Sequence, residues 1–132
     1  MIDVCCAIIL RDKLVLAVQH GIKSHHPGKW EFPGGKIKTG ETAPACIVRE
    51  IQEELAVEIE VLAELSSVGF DYGMKQVKLI PFVSKIRSGS LMLTEHANLQ
   101  WFNLDNWAEF DWLEADRELI VKNLEQIKSF LK

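Results

Sequence analysis

Several absences narrow the reading before any motif is sought. No apolar run approaches the roughly 18 residues that a membrane-crossing helix needs, so no membrane partner is expected. Asp3 stands directly ahead of the apolar stretch 4–10, the wrong flank for a secretory leader. Cysteine is scarce and odd in number, three in all, and Cys5 and Cys6 are neighbours whose side chains leave a strand on opposite faces. No disulfide framework fits that count, no Cys/His spacing of the zinc type occurs, and reduced thiols in the cytoplasm are the expectation. Positive charge is also short: 15 Lys and Arg face 19 Asp and Glu, a formal net charge of −4. Gripping a nucleic-acid polymer by its phosphates takes a basic face, so DNA and RNA are not expected partners.

What is present suffices for a core. Of 132 residues, 48% are hydrophobic and 26% charged, the balance of a globular chain, and the length suits one domain over residues 1–132. The shortage of base is local. Between residues 50 and 74 stand seven acids (Glu50, Glu53, Glu54, Glu58, Glu60, Glu64 and Asp71) and no Lys or Arg. Something must make that stretch tolerable.

Residues 4–10 are apolar and β-branched, turn at Arg11-Asp12-Lys13, and continue as 14–18, which reads as a hairpin. The polar, Gly- and Pro-bearing stretch 20–29 is expected as a loop. Trp30-Glu31-Phe32 makes a short strand stopped by Pro33-Gly34-Gly35. A helix opens after Gly40-Glu41, with Thr42 as N-cap, Pro44 in its first turn and Ile47, Val48, Ile51 and Leu55 as its apolar stripe. Strands are expected at 57–65, 77–85 and 100–103, a turn at 88–90, and a short helical or irregular piece at 106–110. A last helix from about Ala115 carries Ile120, Leu124, Ile127 and Leu131 on one side. The sum is a mixed sheet between helices, one layer on either face, in the α/β class.

Offsets of three and four place Glu50, Glu53 and Glu54 on one face of the first helix. Like charges there repel by a few tenths of a kcal/mol per pair when solvated. Clustered oxygen ligands are what a hard divalent cation such as Mg²⁺ takes; a plain solvated helix face is the other reading of the same spacing. Gly34-Gly35 lets backbone come close, so a main-chain carbonyl could join the ligands, and Arg49 lies near enough to orient a carboxylate.

The longer string settles more. Gly35, five residues, Glu41, seven residues, then Arg49-Glu50-Ile51-Gln52-Glu53-Glu54-Leu55-Ala56-Val57 resembles the Nudix box. The departure is Ala56, where the family has Gly; a left-handed helix end would cost Ala about 1 kcal/mol. Lys29-Trp30-Glu31-Phe32-Pro33-Gly34-Gly35-Lys36 is similar to the approach to the box in MutT-type members. Glu95-His96 followed by Trp101 resembles a downstream element bearing a further carboxylate, and 111–120 resembles the segment whose Asn or Asp reads the base. The branch most similar is that of MutT and CTP pyrophosphohydrolases.

The resemblance implies an α/β/α sandwich with a mixed β-sheet, and Mg²⁺-dependent (or Mn²⁺-dependent) hydrolysis of a nucleoside diphosphate linked to another group. It implies Glu53, Glu54, Glu50 and the Gly35 carbonyl as metal ligands, with Glu95 as a further ligand. The base that activates water would be Glu50 or Glu95. Arg49 and Glu41 would orient the carboxylates, with Gly34 supporting the loop. Relatives often place an Arg just after the second strand, where this chain has Gln19-His20. Gln19, Lys36 and the neighbouring Lys23, Lys29 and Lys38 are then the candidates for phosphate contact. Asp116 stands where the base-reading residue is expected, with an N-cap of the last helix as its other reading. Phe32 and Phe82 are candidates to stack on the base, or else core. The expected substrate is a (d)CTP-type or oxidised-guanine (8-oxo-dGTP) triphosphate, split to NMP and pyrophosphate. ADP-ribose, a nucleotide sugar or a dinucleotide is the alternative, and a nucleotide-sensing domain without catalysis is the third. The chain is expected as a monomer or homodimer.

Overall fold

The computed structural model describes residues 1–131. Eight strands form one mixed sheet: β1 (Ile2–Arg11), β2 (Leu14–Gln19), β3 (Trp30–Glu31), β4 (Gly34–Lys36), β5 (Val57–Glu64), β6 (Val68–Asp71), β7 (Gln76–Gly89) and β8 (Asn98–Asn103). Helix α1 (Ala43–Leu55) and helix α2 (Glu114–Phe130) cover its two faces, which is the sandwich expected. The path runs β3-β2-β1-β7-β5, with β4 also on β1, β6 on β7 and β8 on β2. The β1–β7 pair is parallel over residues 2–10 of β1, and the other pairs are antiparallel.

The pleat of β1 sorts the core. Cys5, Ala7 and Ile9 point to the α1 side with Ile47, Ile51 and Leu55; Cys6 and Ile8 point to the α2 side with Leu119, Ile120 and Ile127. All of these are buried, so each helix hides its apolar stripe on a sheet face with two-residue alternation. Asn123 and Asp116 are the buried polar residues of α2, and Asn123 serves the fold. Its amide bonds the backbone of Ser66 in both directions, at 3.0 and 2.9 Å, and so ties the β5–β6 connection to the helix.

Local differences from expectation have local causes. The glycines after Pro33 were expected to end a strand; instead Gly34–Lys36 pairs with Val4, Cys5 and Cys6 as β4. A Cβ on Gly34 would overlap the Cys5 carbonyl, so only glycine lets these backbones approach so closely. Strand β6 was not expected, its four residues carrying too short a pattern. Strand β7 runs to Gly89 through the expected turn, because Ser88 and Gly89 pair with Glu58 and Val57 at the start of β5 beyond a register shift. A 3-10 helix (Leu104–Glu109) takes the place of the short helical piece. Helix α1 begins as expected, with Thr42 Oγ1 accepting from the Ala45 N–H at 3.2 Å. It ends at Ala56 with φ 59°, the left-handed residue for which glycine is suited.

Candidate active site

The connection from β4 into α1 brings the acidic face together around one guanidinium. Arg49 donates from Nε and Nη2 to the two oxygens of Glu41, at 2.7 and 2.9 Å. Its Nη1 donates to Glu50 Oε1 at 2.8 Å and reaches Glu53 Oε2 at 3.2 Å. One cation therefore fixes three carboxylates, and the fork geometry makes that fixation directional. Glu41 is held down to about 2 by Arg49 and by the Lys38 N–H, which donates to it at 3.1 Å. Glu50 lies against β4: a Cβ on Gly35 would overlap its carboxylate, so the second glycine of the pair makes room for an acid. The Gly35 carbonyl also accepts from the thiols of Cys5 and Cys46, at 3.4 and 3.8 Å, and those two free thiols touch each other at 2.6 Å.

Glu54 is the member that Arg49 does not reach. It is buried, and its Oε2 has no hydrogen-bond partner. Burial, then the charges of Glu31, Glu50 and Glu95, push its carboxyl up to about 8, against which the Gly34 N–H acts. A buried carboxylate oxygen with nothing to accept from is costly unless a cation or proton meets it. That orphan oxygen, beside Glu50 and Glu53, fits the oxygen-rich donor set of a hard divalent ion. The 91–97 loop closes over it: Met92 N–H donates to Leu55 O at 2.9 Å, and Thr94 Oγ1 donates to Glu54 O at 3.1 Å. Those contacts satisfy the C-terminal carbonyls of α1 and bring the exposed Glu95 to the same end.

On the α2 side of the sheet a cavity of about 560 Å³ opens beside this face. Val4, Val77 and Leu79 supply sheet positions, and Tyr72, Glu31 and Asp116 supply polar ones. Asp116 is buried, and its Oδ2 accepts from the Phe32 N–H at 2.9 Å. Burial, and then the nearby Glu31 charge, hold its carboxyl well above the usual range, against which the Phe32 N–H acts. It does not cap α2: Leu113 holds the N-cap position without a side-chain bond, and the Ala115 N–H is met by the Tyr72 hydroxyl at 3.0 Å. Glu31 sits between two imidazoles, with His96 Nε2 at 2.7 Å and His20 Nε2 at 3.0 Å from its Oε2. Burial works to raise Glu31, but the two imidazoles outweigh it and keep the carboxyl below its ordinary value. The same carboxylate raises His20.

Phe82, Phe32, Gln19 and Lys29, all expected as substrate contacts, are buried or engaged with other groups. Phe82 is buried on the α1 face, because it alternates with the cavity-lining side of β7, and so it cannot stack on a base in that cavity. Phe32 is buried against Trp112, ring centroids 5.1 Å apart, and offers the site its backbone N–H rather than its ring. The Gln19 amide is spent bracing loops, donating to Gly28 O at 3.1 Å and accepting from Asn98 at 2.7 Å. Lys36 is exposed at the end of β4 beside the acidic face, where its carbonyl accepts from Arg49 Nη2 at 3.4 Å. Lys29 is paired with Asp111 at 2.8 Å. Sequence reasoning gave no role to Glu31, His20, His96 or Tyr72. An acid between two aromatics in a short strand was the one available signal, at Glu31.

Comparison with known proteins agrees with this geometry. The NUDIX domain pattern matches residues 1–123. The CTP pyrophosphohydrolase of Escherichia coli (strain K12) is 32% identical over 120 residues, covering 91% of this chain and 89% of the relative. The 8-oxo-dGTP diphosphatase of the same organism is 25% identical over 108 residues, covering 82% and 84%. Among solved structures, the E. coli ORF135 protein superposes with a TM-score of 0.82 at 30% identity, covering 95% of this chain and 89% of that one. Nudix hydrolases generally use a divalent metal, for which the α1 carboxylates are suited. The match along residues 1–123, together with a glutamate face built on β4 and α1, means that this chain belongs to the Nudix hydrolase family.

Proposed function

We propose that this Nudix hydrolase splits nucleoside triphosphates to a monophosphate and pyrophosphate with Mg²⁺, acting on (d)CTP-type or oxidised-guanine (8-oxo-dGTP) substrates. The observation that carries the reading is the buried, unpartnered Glu54 oxygen beside Glu50 and Glu53. Glu50, Glu53 and Glu54 would hold the ion, with the Gly35 carbonyl and Glu95 completing its ligands. When bound, the cation neutralises phosphate charge and makes a water more acidic. Arg49 and Glu41 keep Glu50 and Glu53 in one orientation, so little reordering is needed when the substrate arrives. Glu50 or Glu95 accepts the proton of the attacking water, and comparing Glu50→Gln with Glu95→Gln assigns which.

The nucleobase would enter the cavity beside Asp116. Where it carries its proton, the Asp116 carboxyl would offer an O–H donor and a carbonyl acceptor side by side. Cytosine presents the matching acceptor and exocyclic N–H. Oxidation of guanine at C8 adds an N–H beside its O6 acceptor, which gives an edge of the same pattern. This shared pattern, and relatives named for both CTP and 8-oxo-dGTP, support the two substrates jointly. A nucleotide panel with Mg²⁺ and product identification tests it: pyrophosphate and monophosphate from (d)CTP or 8-oxo-dGTP are expected. Ribose phosphate products would point to ADP-ribose, and no turnover at all would favour a sensing domain. We further infer that the chain works in the cytoplasm, as a monomer or homodimer, without a nucleic-acid partner.

A further inference from the structure

We infer that His20, Glu31 and His96 form a second metal site, separate from the α1 carboxylates, that takes a late first-row divalent cation of the Zn²⁺ type. The three donors converge: His20 Nε2 and His96 Nε2 both approach Glu31 Oε2, at 3.0 and 2.7 Å, and all three atoms lie within 4.8 Å of one another. A tetrahedral ion bound at about 2.0–2.1 Å spaces its ligand atoms roughly 3.3 Å apart, so closing on an ion takes side-chain shifts of about 1 Å. His20 Nε2 is buried and, despite its distance, is off the hydrogen-bond direction to Glu31, which leaves it without a partner of its own.

The scaffold is rigid and the outer contacts suit the role. Gln19 of β2 pairs across to Trp30 of β3 on one side and Asn98 of β8 on the other. Those pairings set His20, Glu31 and His96 at one end of three adjacent strands. His20 Nδ1 is 2.8 Å from Ser24 Oγ. A metal-binding imidazole commonly has its other nitrogen held in this way. His20 and Glu31 both line the 560 Å³ cavity, so a three-ligand ion would keep an open position toward whatever occupies it. Two imidazoles and one carboxylate favour late first-row ions, whereas the oxygen-only set on α1 favours Mg²⁺. The inference does not depend on the proposed substrate.

The test uses the full chain, freed of metal, titrated with Zn²⁺ against a chromophoric chelator in millimolar Mg²⁺. One Zn²⁺ per chain is expected, undisplaced by Mg²⁺. His20→Gln and His96→Gln should each weaken Zn²⁺ binding by about tenfold or more, while Glu53→Gln leaves it within about twofold. Displacement by Mg²⁺, unchanged affinity in both histidine variants, or loss of Zn²⁺ in Glu53→Gln would overturn the site. Should the histidine variants misfold, Co²⁺ titration of the unaltered chain decides. An intense visible band of four-coordinate, nitrogen-ligated cobalt supports the site, and only the weak band of six-coordinate cobalt refutes it.

Discussion

The two walls of the cleft are made in different ways. The acidic wall comes from one continuous stretch, Gly35 to Glu54, whose loop and helix fix the spacing of every carboxylate. The cavity wall is assembled from distant pieces: His20 after β2, Glu31 in β3, Tyr72 after β6 and Asp116 in α2. Each wall holds a buried carboxyl with a raised proton affinity, but their surroundings differ. Glu54 has an oxygen with no partner, so under the proposed function a cation completes it. Asp116 already accepts a backbone N–H, and burial raises its proton affinity, so under the proposed function its partner is a ligand rather than a metal. A wall made from one segment suits chemistry common to all substrates. A wall made from many can change one residue at a time and so suits selection among substrates.

The strongest way to break that division is Glu53→Gln. If Glu53 holds the ion as proposed, its loss should lower kcat by roughly 10²- to 10³-fold, and by the same factor for every nucleotide the enzyme accepts. Steady-state kinetics across the panel check this. A factor that varied strongly with the base would mean that the acidic wall also selects.

The second test concerns Glu54 without metal. Its folded pKa of about 8 lies above the ordinary 4.5. Below pH 4.5 the group is protonated in both states and its burial carries no ionisation penalty. Between 4.5 and 8 the unfolded chain has released the proton while the folded one retains it, so stability falls as pH rises and levels off above 8. The loss is on the order of a few kcal/mol. Thermal unfolding of the metal-free chain should therefore show Tm falling over that window. Mg²⁺ should restore more at pH 8 than at pH 6, where its binding must expel a proton. Glu54→Gln should flatten part of the slope, the remainder belonging to Asp116 and His20, whose shifts have the same sign. A slope unchanged in Glu54→Gln would put the penalty elsewhere.

Asp116→Asn addresses the other wall. The amide keeps an acceptor for the Phe32 N–H but presents a fixed NH₂ where the carboxyl can exchange donor and acceptor roles. Relative kcat/KM among bases should shift by about tenfold, with kcat for the best substrate altered less. An unchanged ranking would remove Asp116 from base selection.

The division also explains what could be read from the chain alone. The acidic wall was legible because helical offsets of three and four turn sequence spacing directly into spatial spacing. The core was legible too, since the stripes of α1 and α2 and the alternation of β1 follow from simple periods. The cavity wall was not, because it depends on which strands become neighbours. Glu31 meets His20 and His96 only through the pairing of β2 with both β3 and β8. Phe82 misled for the related reason that a strand of unknown register does not reveal which face a residue takes. Asp116 was placed by resemblance, and its N-cap alternative fell only when Tyr72, on the unforeseen β6–β7 connection, was found meeting the helix end.

The smallest effect lies at the seam where the acidic wall ends. Ala56 holds φ 59° and ψ 28°, and its N–H donates to Gln52 O, closing α1 with a left-handed residue. Ala56→Gly relieves the steric cost of that conformation but gives the unfolded chain more freedom, and the two oppose each other. At a left-handed position the steric cost is the larger, so a net gain of about 1 kcal/mol is expected. Urea unfolding should show the midpoint rising with an unchanged m-value. Because Ala56 follows Glu54 by two residues and touches no expected ligand position, kcat should stay the same. A gain in stability accompanied by a loss of activity would mean that the strained helix end helps to aim Glu54, and the acidic wall would then extend one turn further than its carboxylates.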